Sequence, residues 1–510
     1  MEIKELLSLY GRHPQVRALS RALSDDALRV LCLSGLQGSA AALAFAAARP
    51  SVGGDSRPSP LLFVLDDAEE AGYFYHDLVQ LQGESQVLFF PSSFRRAVKF
   101  GQRDAANEIL RTEVLARLTS LAAGAPSPMV VSYPEALAER VVSKQTLDER
   151  TLQLRQGERV DPSFVEETLL AFGFHRTDYV YEPGQFAVRG SLVDVFSYSS
   201  EYPFRIDFFG DEVDSIRTFE VETQLSRSRQ EQVTLVPELG CQHEDAVSLA
   251  MLLPSDLVLV ARDFTFIAER VGQVWEEGFS KQAVIETGSV QMSQDPEKAE
   301  SNVMNRQQLL IDAATFEHGF APFRRVELSA SAGRAASSQG KGKGSALITF
   351  STAPQPIFHK NFDLLGKTFA DYRSQGYTLY ILADSQKQTD RLQAILEASD
   401  PSSADEEPRA VTPAGSGAPR SLFTPVSRTL HAGFADNTLK VCLFTDHQIF
   451  DRFHKYSLRS ERARSGKVAL TLKELQEFEI GDYVVHMDHG IGRFAGLVRV
   501  PNGPMVCCRR

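Results

Sequence analysis

The sequence has few cysteines, a single tryptophan and no long unbroken apolar run, and these scarcities exclude several classes of protein. Its five cysteines lie far apart or directly adjacent, as at Cys507 and Cys508, so they predict no disulfide framework and fit a reducing cytoplasm. The most apolar stretch, 31–48, is interrupted by serine, glutamine and glycine, which predicts strand, turn and helix rather than a membrane span. The N-terminus lacks the charged-then-apolar layout of a signal peptide.

An excess of basic residues is also missing. The net charge of -12 argues against a protein whose whole surface binds nucleic acid but still allows a local basic patch, so we expect DNA contacts to be weak or indirect. Without an apolar run that predicts a membrane span, we expect no membrane contact. A hydrophobic content of 43% with 24% charged residues is typical of soluble globular protein. Because 510 residues exceed what one hydrophobic core accommodates, several domains are expected.

The order of apolar segments predicts a multidomain α/β protein. Residues 1–138 alternate short apolar runs with helical periodicity, which indicates the first part of an α/β domain with a parallel sheet. From 139 to 225 the pattern changes to β-hairpins, which predicts an inserted, mainly β sheet domain. The following segments are predicted to be a return to the first domain (226–328), a flexible linker (329–346), a second α/β domain (347–450) with a disordered insert (399–420), a basic helical connector (451–475) and a small β-barrel that begins at 476.

Two consecutive strand patterns between 186 and 213 carry the strongest functional signal. Apolar Phe204, Ile206 and Phe208 point to one side of a predicted strand. Arg205, Asp207 and Phe209 point to the other side, and Arg189 lies on the polar side of its own strand. Arginine and phenylalanine anchor many protein interfaces, so this side of the sheet is a candidate binding face. The alternative is a solvated outer face with one isolated phenylalanine.

The residues FAVRGSLVDVF (186–196) and PFRIDFFGDEVDSIRTF (203–219) resemble the sheet domain shared by the excision-repair helicase UvrB and the transcription-repair coupling factors. In those families this domain docks onto UvrA, the damage-sensing ATPase. The resemblance therefore implies UvrA contacts at Arg189, Arg205 and Phe209, the side chains that strand alternation already places outside.

The segment 33–40 lies at a predicted strand-to-helix turn, where a phosphate-binding loop would be found. Such a loop needs a first glycine, a lysine for the phosphate charge and a hydroxyl for magnesium. Those three positions are Leu33, Ser39 and Ala40 here, and only Gly38 is retained. We therefore expect a degenerate loop without ATP hydrolysis and no cofactor in this chain. The loss resembles the coupling factors, since UvrB keeps an intact loop.

A second departure from UvrB lies after the predicted strand near Phe89. UvrB carries an aromatic hairpin there that clamps damaged DNA, whereas here 89–96 runs almost directly into the helix predicted to start near Asn107. The damage-clamping hairpin is therefore not expected.

The third motif, 480–497, predicts the opening hairpin of a small β-barrel. It resembles the RNA-polymerase-interacting domain of the coupling factors and CarD-type regulators, which implies strand addition to the polymerase β subunit. The residues that carry this resemblance are His486, His489, Gly490, Gly492 and Arg493. Metal binding by the histidines with Asp488, Cys507 and Cys508 is not expected, since adjacent cysteines do not readily fill two corners of one tetrahedral site. Beyond Pro501 we expect no continuation of the strands, and thus a truncated domain with weakened polymerase binding.

Together these patterns identify the chain as the N-terminal half of a member of the transcription-repair coupling factor family. We expect a non-enzymatic recruitment module for nucleotide excision repair, without the ATP-dependent DNA translocase that the family places next. Two alternatives remain. One is a divergent UvrB-like ATPase that binds damaged DNA, and the other is a CarD-like transcription regulator.

Overall fold

The computed structural model describes residues 1–49, 58–93, 105–119, 127–221, 223–239, 246–277, 309–329, 344–398 and 422–452, together with the backbone of three C-terminal strands. These residues divide into two compact units. The first comprises Met1–Gln153, Tyr198–Ser200 and Thr234–Leu458. The second comprises Leu154–Ser197, Glu201–Val233 and Arg459–Arg510.

The elements follow the predicted alternation of strands and helices. The described helices are α1 (Ile3–Tyr10), α2 (Pro14–Leu23), α3 (Ala40–Ala48), α4 (Ala68–Gln82), α5 (Ala105–Thr119), α6 (Pro134–Ala138), α7 (Lys144–Glu149), α8 (Pro162–Ala171), α9 (Phe264–Glu277), α10 (Ala313–Phe320), α11 (Phe362–Ser374), α12 (Gln386–Ala398) and α13 (Asp446–Ile449). The described strands are β1 (Val30–Ser34), β2 (Leu61–Val64), β3 (Val87–Phe89), β4 (Met129–Ser132), β5 (Leu152–Arg155), β6 (His175–Arg176), β7 (Gln185–Arg189), β8 (Leu192–Val195), β9 (Phe204–Phe209), β10 (Glu212–Phe219), β11 (Ser226–Gln230), β12 (Gln232–Leu235), β13 (Val258–Ala261), β14 (Arg324–Ser329), β15 (Ser345–Thr349), β16 (Thr352–Pro354), β17 (Thr378–Leu382), β18 (Thr424–Val426), β19 (Phe434–Asp436), β20 (Val441–Thr445), β21 (Tyr483–His486), β22 (Gly490–Val500) and β23 (Gly503–Arg509).

The first unit is built on a seven-stranded sheet in the order β15-β1-β14-β13-β2-β4-β3, and every pairing in it is parallel. Its central strands β2, β4 and β13 are buried along their whole length, as expected when helices cover both faces of a parallel sheet. The alanine-rich helix α3 is buried almost all round and contacts α1, α2 and α4. The predicted α/β domain with a parallel sheet is therefore confirmed.

A second sheet in the same unit is mixed, in the order β16-β19-β20-β17-β18. Strands β17, β18 and β20 are parallel to one another, while β19 is antiparallel to both β16 and β20. Buried side chains of this sheet, such as Phe434 and Leu443, belong to the same apolar core as the seven-stranded sheet. The two sheets of the first unit thus share one core.

The predicted boundary between the two α/β domains needs correction. Strand β15 pairs in parallel with β1 and forms the edge of the seven-stranded sheet, although the sequence placed it at the end of a linker and the start of the next domain. The pairing is set by tertiary contacts that the local pattern does not encode. The predicted linker falls largely outside the described residues, as do the insert 399–420 and the segment after Ser93 where a UvrB hairpin would lie.

The second unit contains a six-stranded sheet in the order β11-β10-β9-β8-β7-β6. Its pairings are antiparallel except for the short β6, which runs parallel to β7. Strand β11 pairs with β10 and so belongs to this sheet, which therefore extends past the predicted boundary at 225. Separately, β5 and β12 form a two-stranded sheet.

The C-terminal strands β21, β22 and β23 form a three-stranded antiparallel sheet. The predicted opening hairpin is present, with His486 paired to Gly490 and Tyr483 to Arg493. The expectation that no strand follows Pro501 is wrong, because β23 pairs with β22 from Gly503 to Arg509. The predicted basic connector lies almost entirely outside the described residues. Within the described part of the chain, no helix combines the length and the apolar character needed to cross a membrane.

Candidate protein-binding face of the six-stranded sheet

The sheet register places the predicted site residues on one side of the second unit's sheet. Directly opposed residues share a face, and the opposed series Asp194, Arg205, Arg217 and Arg229 runs across four strands, β8 to β11. The neighbouring series of opposed residues is Arg189, Leu192, Asp207 and Ser215. We call the side formed by Arg189, Asp194, Arg205, Asp207, Phe209, Arg217 and Arg229 the arginine face.

The predicted alternation along β9 is confirmed by burial. Phe204, Ile206 and Phe208 are buried, whereas Phe209 is 84% exposed. Phe209 ends its strand immediately before the two-residue turn Gly210–Asp211, where Gly210 has φ of 66°. A glycine at the first turn position suits this tight hairpin, which fixes the last strand residue on the outer side. Local sequence therefore determines where Phe209 points.

Arg189 and Arg205 meet at one buried carboxylate, Asp194 on β8. Arg205 binds it in a bidentate manner, with Nε donating to Oδ1 at 2.7 Å and Nη2 donating to Oδ2 at 2.9 Å. Arg189 also donates to Oδ2 of Asp194. Bidentate charge-assisted bonds fix the plane of a guanidinium group as well as its position. The two predicted contact arginines are thus oriented by one shared partner.

Further contacts hold each arginine on the face. Nη1 of Arg205 donates to the carbonyl of Gln224 at 3.2 Å, and its guanidinium lies 4.5 Å from the ring centre of Phe219. The guanidinium of Arg189 lies 5.0 Å from the ring centre of Tyr179. The hydrogen bonds that Arg205 donates to Asp194 raise the pKa of Arg205, and burial opposes them only in part. Arg205 therefore remains charged, and each arginine is held by several contacts.

The three predicted residues differ in how much of them a partner could touch. The side chain of Arg205 is 16% exposed and that of Arg189 is 35% exposed, far less than Phe209. Arg205 is therefore partly a structural residue of the sheet, whereas Phe209 is almost wholly available for contact. Sequence reasoning did not single out Asp194 or Tyr179. The signal for Asp194 was a lone carboxylate within the apolar strand Leu192–Val195.

The loop between β1 and α3 holds the other predicted site. Leu33 is buried in β1, Gly38 has φ of 54°, Ser39 precedes α3, and Ala40 is its buried first residue. The backbone N–H of Gln37 donates to the Thr352 hydroxyl at 2.9 Å, and that of Ser39 donates to the carbonyl of Ala432 at 3.0 Å. The loop amides thus contact protein groups.

The C-terminal motif is described only at the backbone. His486 ends β21, Gly490 begins β22, and Gly492 is paired with Val484. His489 lies outside the described residues. In the described part of the chain, no group of three or more histidine, cysteine, aspartate or glutamate side chains is arranged to hold a metal ion.

Comparison with known proteins matches the six-stranded sheet and the C-terminal three-stranded sheet to two defined families. The UvrB interaction domain family matches residues 152–239, which include the whole six-stranded sheet. The CarD-like/TRCF RID domain family matches residues 478–505, which extend into β23.

Full-length relatives align along most of the chain. It is 22% identical over 524 residues to the transcription-repair-coupling factor of Bacillus subtilis (strain 168), covering 92% of this chain and 42% of that protein. It is 23% identical over 487 residues to the transcription-repair-coupling factor of Staphylococcus aureus (strain bovine RF122 / ET3-1), covering 86% of this chain and 40% of that protein. The chain thus spans less than half the length of these relatives. The chain is therefore similar to transcription-repair coupling factors along most of its own length.

Proposed function

We propose that this chain acts in transcription-coupled nucleotide excision repair by binding UvrA through the arginine face. The observation that carries the proposal is the exposure of Phe209 beside two oriented arginines, within the region that matches the UvrB interaction domain. Large exposed aromatic residues flanked by arginine are the usual energetic centres of protein interfaces. The solvated-surface alternative leaves unexplained why the most exposed phenylalanine of the described residues lies on this face.

The exposure of each side chain on the arginine face indicates what it would contribute to binding. Phe209 would supply most of the apolar contact area, because nearly its whole side chain is free to enter a pocket. Arg189 would supply charged hydrogen bonds, and the more buried Arg205 would shape the surface and contribute its remaining N–H groups. The arginines outnumber the carboxylates on the arginine face, so a complementary partner surface would be acidic.

The C-terminal sheet supports a second partner, the β subunit of RNA polymerase. Its match to the CarD-like/TRCF RID family covers the hairpin β21–β22 and the start of β23. Strand addition to an exposed sheet edge is the recognition mode that such a sheet permits. Because the chain spans less than half of its relatives, this partnership is a proposal for these 510 residues.

We further propose that these residues recruit partners without hydrolysing ATP. The loop at 33–40 has no lysine and no hydroxyl at the positions that phosphate and magnesium require, and its Gln37 and Ser39 amides already donate to protein oxygens. The alternative of a UvrB-like damaged-DNA-binding ATPase is not favoured, since the alignment to a coupling factor runs along 92% of the chain.

Calorimetric titration with UvrA tests the recruitment function. Wild-type chain should bind, and the double variant Arg205→Ala/Phe209→Ala should not. Phe164→Ala is a matched control, because Phe164 is also an exposed phenylalanine of the second unit but lies on α8 rather than on the sheet. Absence of binding by folded wild-type chain, or equal loss in the control, would overturn the proposal.

A further inference from the structure

The loop between β1 and α3 is occupied by another part of the same chain. Residues 430–433, which precede β19, lie against Gly38 and Ser39 of the loop and against one side of α4. We infer that this loop is an intramolecular docking site, whose ligand is the backbone of the 430–433 segment in place of a nucleotide phosphate. The inference is independent of UvrA binding, since the loop and the 430–433 segment both belong to the first unit.

A reciprocal pair of hydrogen bonds joins the loop to the segment. The backbone N–H of Ser39 donates to the carbonyl of Ala432 at 3.0 Å. The backbone N–H of Ala432 donates back to the hydroxyl of Ser39 at 2.9 Å. In a phosphate-binding loop the amides at the start of the helix face an anionic oxygen. Here a neutral peptide carbonyl takes the Ser39 amide, so no lysine is needed to balance charge.

The close approach of the two backbones depends on glycine. A Cβ atom added to Gly38 would lie 3.0 Å from the carbonyl oxygens of both Ala432 and Gly433. A Cβ atom added to Gly433 would lie 1.9 Å from Oε1 of Gln355. A Cβ at Gly38 would force the backbone of the segment to shift by a few tenths of an ångström, and a Cβ at Gly433 would also lie 2.8 Å from the backbone carbonyl oxygen of Leu443. Glycine at both positions therefore lets the segment fit without rearrangement. Gly38, the one phosphate-loop residue that the sequence retains, thus has a present structural role.

Helix α4 holds the segment from the side. Asp77, which is buried, accepts the backbone N–H of His431 at 2.7 Å. The ring of Tyr73, one helical turn earlier, stacks on the His431 ring with centroids 3.6 Å apart and planes inclined by 20°. Just before the segment, Nη1 of Arg428 donates to Oε1 of Gln80, also on α4, at 3.1 Å. A single face of α4 therefore recognises both the backbone and the side chain of the segment.

Helix α13 also holds the segment. The backbone N–H of Gly433 donates to Oε1 of Gln448 at 2.7 Å, and Nε2 of His447 lies 2.8 Å from the carbonyl oxygen of His431. These bonds fix the segment to α13 as well as to the loop and α4. The consequence is that the loop joins the two sheets of the first unit, and that a nucleotide could bind there only by displacing the segment.

Two glycine variants test this docking site. Gly38 and Gly83 both have positive φ, of 54° and 85°, so alanine strains the backbone at either position. Only at Gly38 would the new Cβ meet the docked segment, since nothing lies within 4 Å of a Cβ at Gly83. We expect Gly38→Ala, but not Gly83→Ala, to accelerate amide hydrogen exchange at residues 431 and 432 by roughly tenfold. Equal exchange in the two variants would overturn the inference.

A milder variant keeps the test decisive if Gly38→Ala does not fold. Ser39→Ala removes the hydroxyl that accepts the Ala432 N–H, and helix α3 loses no side-chain cap because the Ser39 side chain makes no capping bond. It should also accelerate exchange at residue 432. Titration of wild-type chain with magnesium and ATP, followed by calorimetry, should show no binding. Nucleotide binding that leaves exchange of the 430–433 segment unchanged would contradict the docking site.

Discussion

Arg205 and Asp194 form a two-bond pair across neighbouring strands, with Nε to Oδ1 at 2.7 Å and Nη2 to Oδ2 at 2.9 Å. The carboxylate is buried while the guanidinium reaches the surface, so the pair connects the interior of the sheet to its arginine face. Because Arg189 uses the same carboxylate, one residue orients both charged groups proposed to contact UvrA.

Asp194→Asn should weaken UvrA binding by roughly tenfold, although Asp194 itself is buried. The amide cannot accept charge-assisted bonds from two guanidinium groups, so both arginines lose their fixed orientation. The free energy of unfolding should fall by about 2 kcal/mol, below the usual cost of breaking a buried pair, because both arginines can reach water. Calorimetry and denaturant unfolding measure the two effects. Asp211→Asn in the exposed turn is the control, and unchanged affinity in folded Asp194→Asn would contradict the prediction.

Phe209→Ala should weaken UvrA binding and leave the free energy of unfolding nearly unchanged. Since the side chain is 84% exposed, its removal should change the free energy of unfolding by less than about 0.5 kcal/mol. The same change should cost at least about 2 kcal/mol of UvrA binding, or roughly thirtyfold in affinity, if Phe209 fills a pocket on the partner. Phe208→Ala, one residue earlier and buried, should do the reverse and chiefly destabilise the fold. A Phe209→Ala variant that binds UvrA normally would remove Phe209 from the interface.

The first unit should become less stable as pH rises from about 5 to about 7. Burial raises the pKa of Asp77 from 3.8 to about 7. Between those values the folded protein keeps a proton that the unfolded chain releases, so the free energy of unfolding falls by about 1.4 kcal/mol per pH unit. Above the folded-state pKa this contribution no longer changes.

Asp77→Asn should remove this dependence of the free energy of unfolding on pH. Chemical unfolding at several pH values measures that dependence. Three other ionisable side chains lie here: His431 within the docked segment, His447 beside it and Tyr73 stacked on the His431 ring. All three are retained in Asp77→Asn. The difference between wild type and variant therefore isolates the carboxyl group. Parallel pH profiles for the two proteins would show that Asp77 is not the group that titrates.

Tyr10→Phe should destabilise the first unit by about 2 kcal/mol, because the Tyr10 hydroxyl donates at 2.8 Å to the buried carboxylate of Asp436. Asp436 also lies 3.2 Å from Nε2 of His13, so it joins the N-terminal helices to the five-stranded sheet. Tyr377→Phe is the matched control, since its hydroxyl donates at the same distance to the neutral side chain of Asn437 and should cost only about 1 kcal/mol. Thermal unfolding compares the two, and a larger loss at Tyr377 would contradict the argument.

Restoring the phosphate-loop residues should not restore nucleotide binding. The triple variant Leu33→Gly/Ser39→Lys/Ala40→Thr recreates the required pattern but removes the Ser39 hydroxyl that accepts the Ala432 N–H. Asp77 and Gln448 still accept the N–H groups of His431 and Gly433, so we expect the Ala432 carbonyl to stay next to the loop amides. Calorimetry with magnesium and ATP should therefore show no binding by the folded variant. Tight ATP binding would mean that the docked segment is readily displaced.

Local pattern was sufficient for the elements that carry the proposed interface. The alternation from Phe204 to Phe209 predicted both faces of β9, because strand geometry sends successive side chains to opposite sides whatever the rest of the fold does. The apolar runs that form β2 and β4 likewise predicted a parallel sheet. Strand β15 was missed, because a short alternating strand after a polar linker does not indicate which sheet it joins.

The sequence by itself therefore determined the outward position of Phe209 and the missing phosphate-loop lysine, since both are properties of neighbouring residues. Only the tertiary structure decided that Asp194 is shared by two arginines and that Ala432 reaches Ser39, 393 residues away in the chain. Such contacts depend on strand register and on the packing of two sheets around one core. Neither is encoded by the periodicity of a single segment, because closing so long a loop is stabilised only by the whole core that surrounds it.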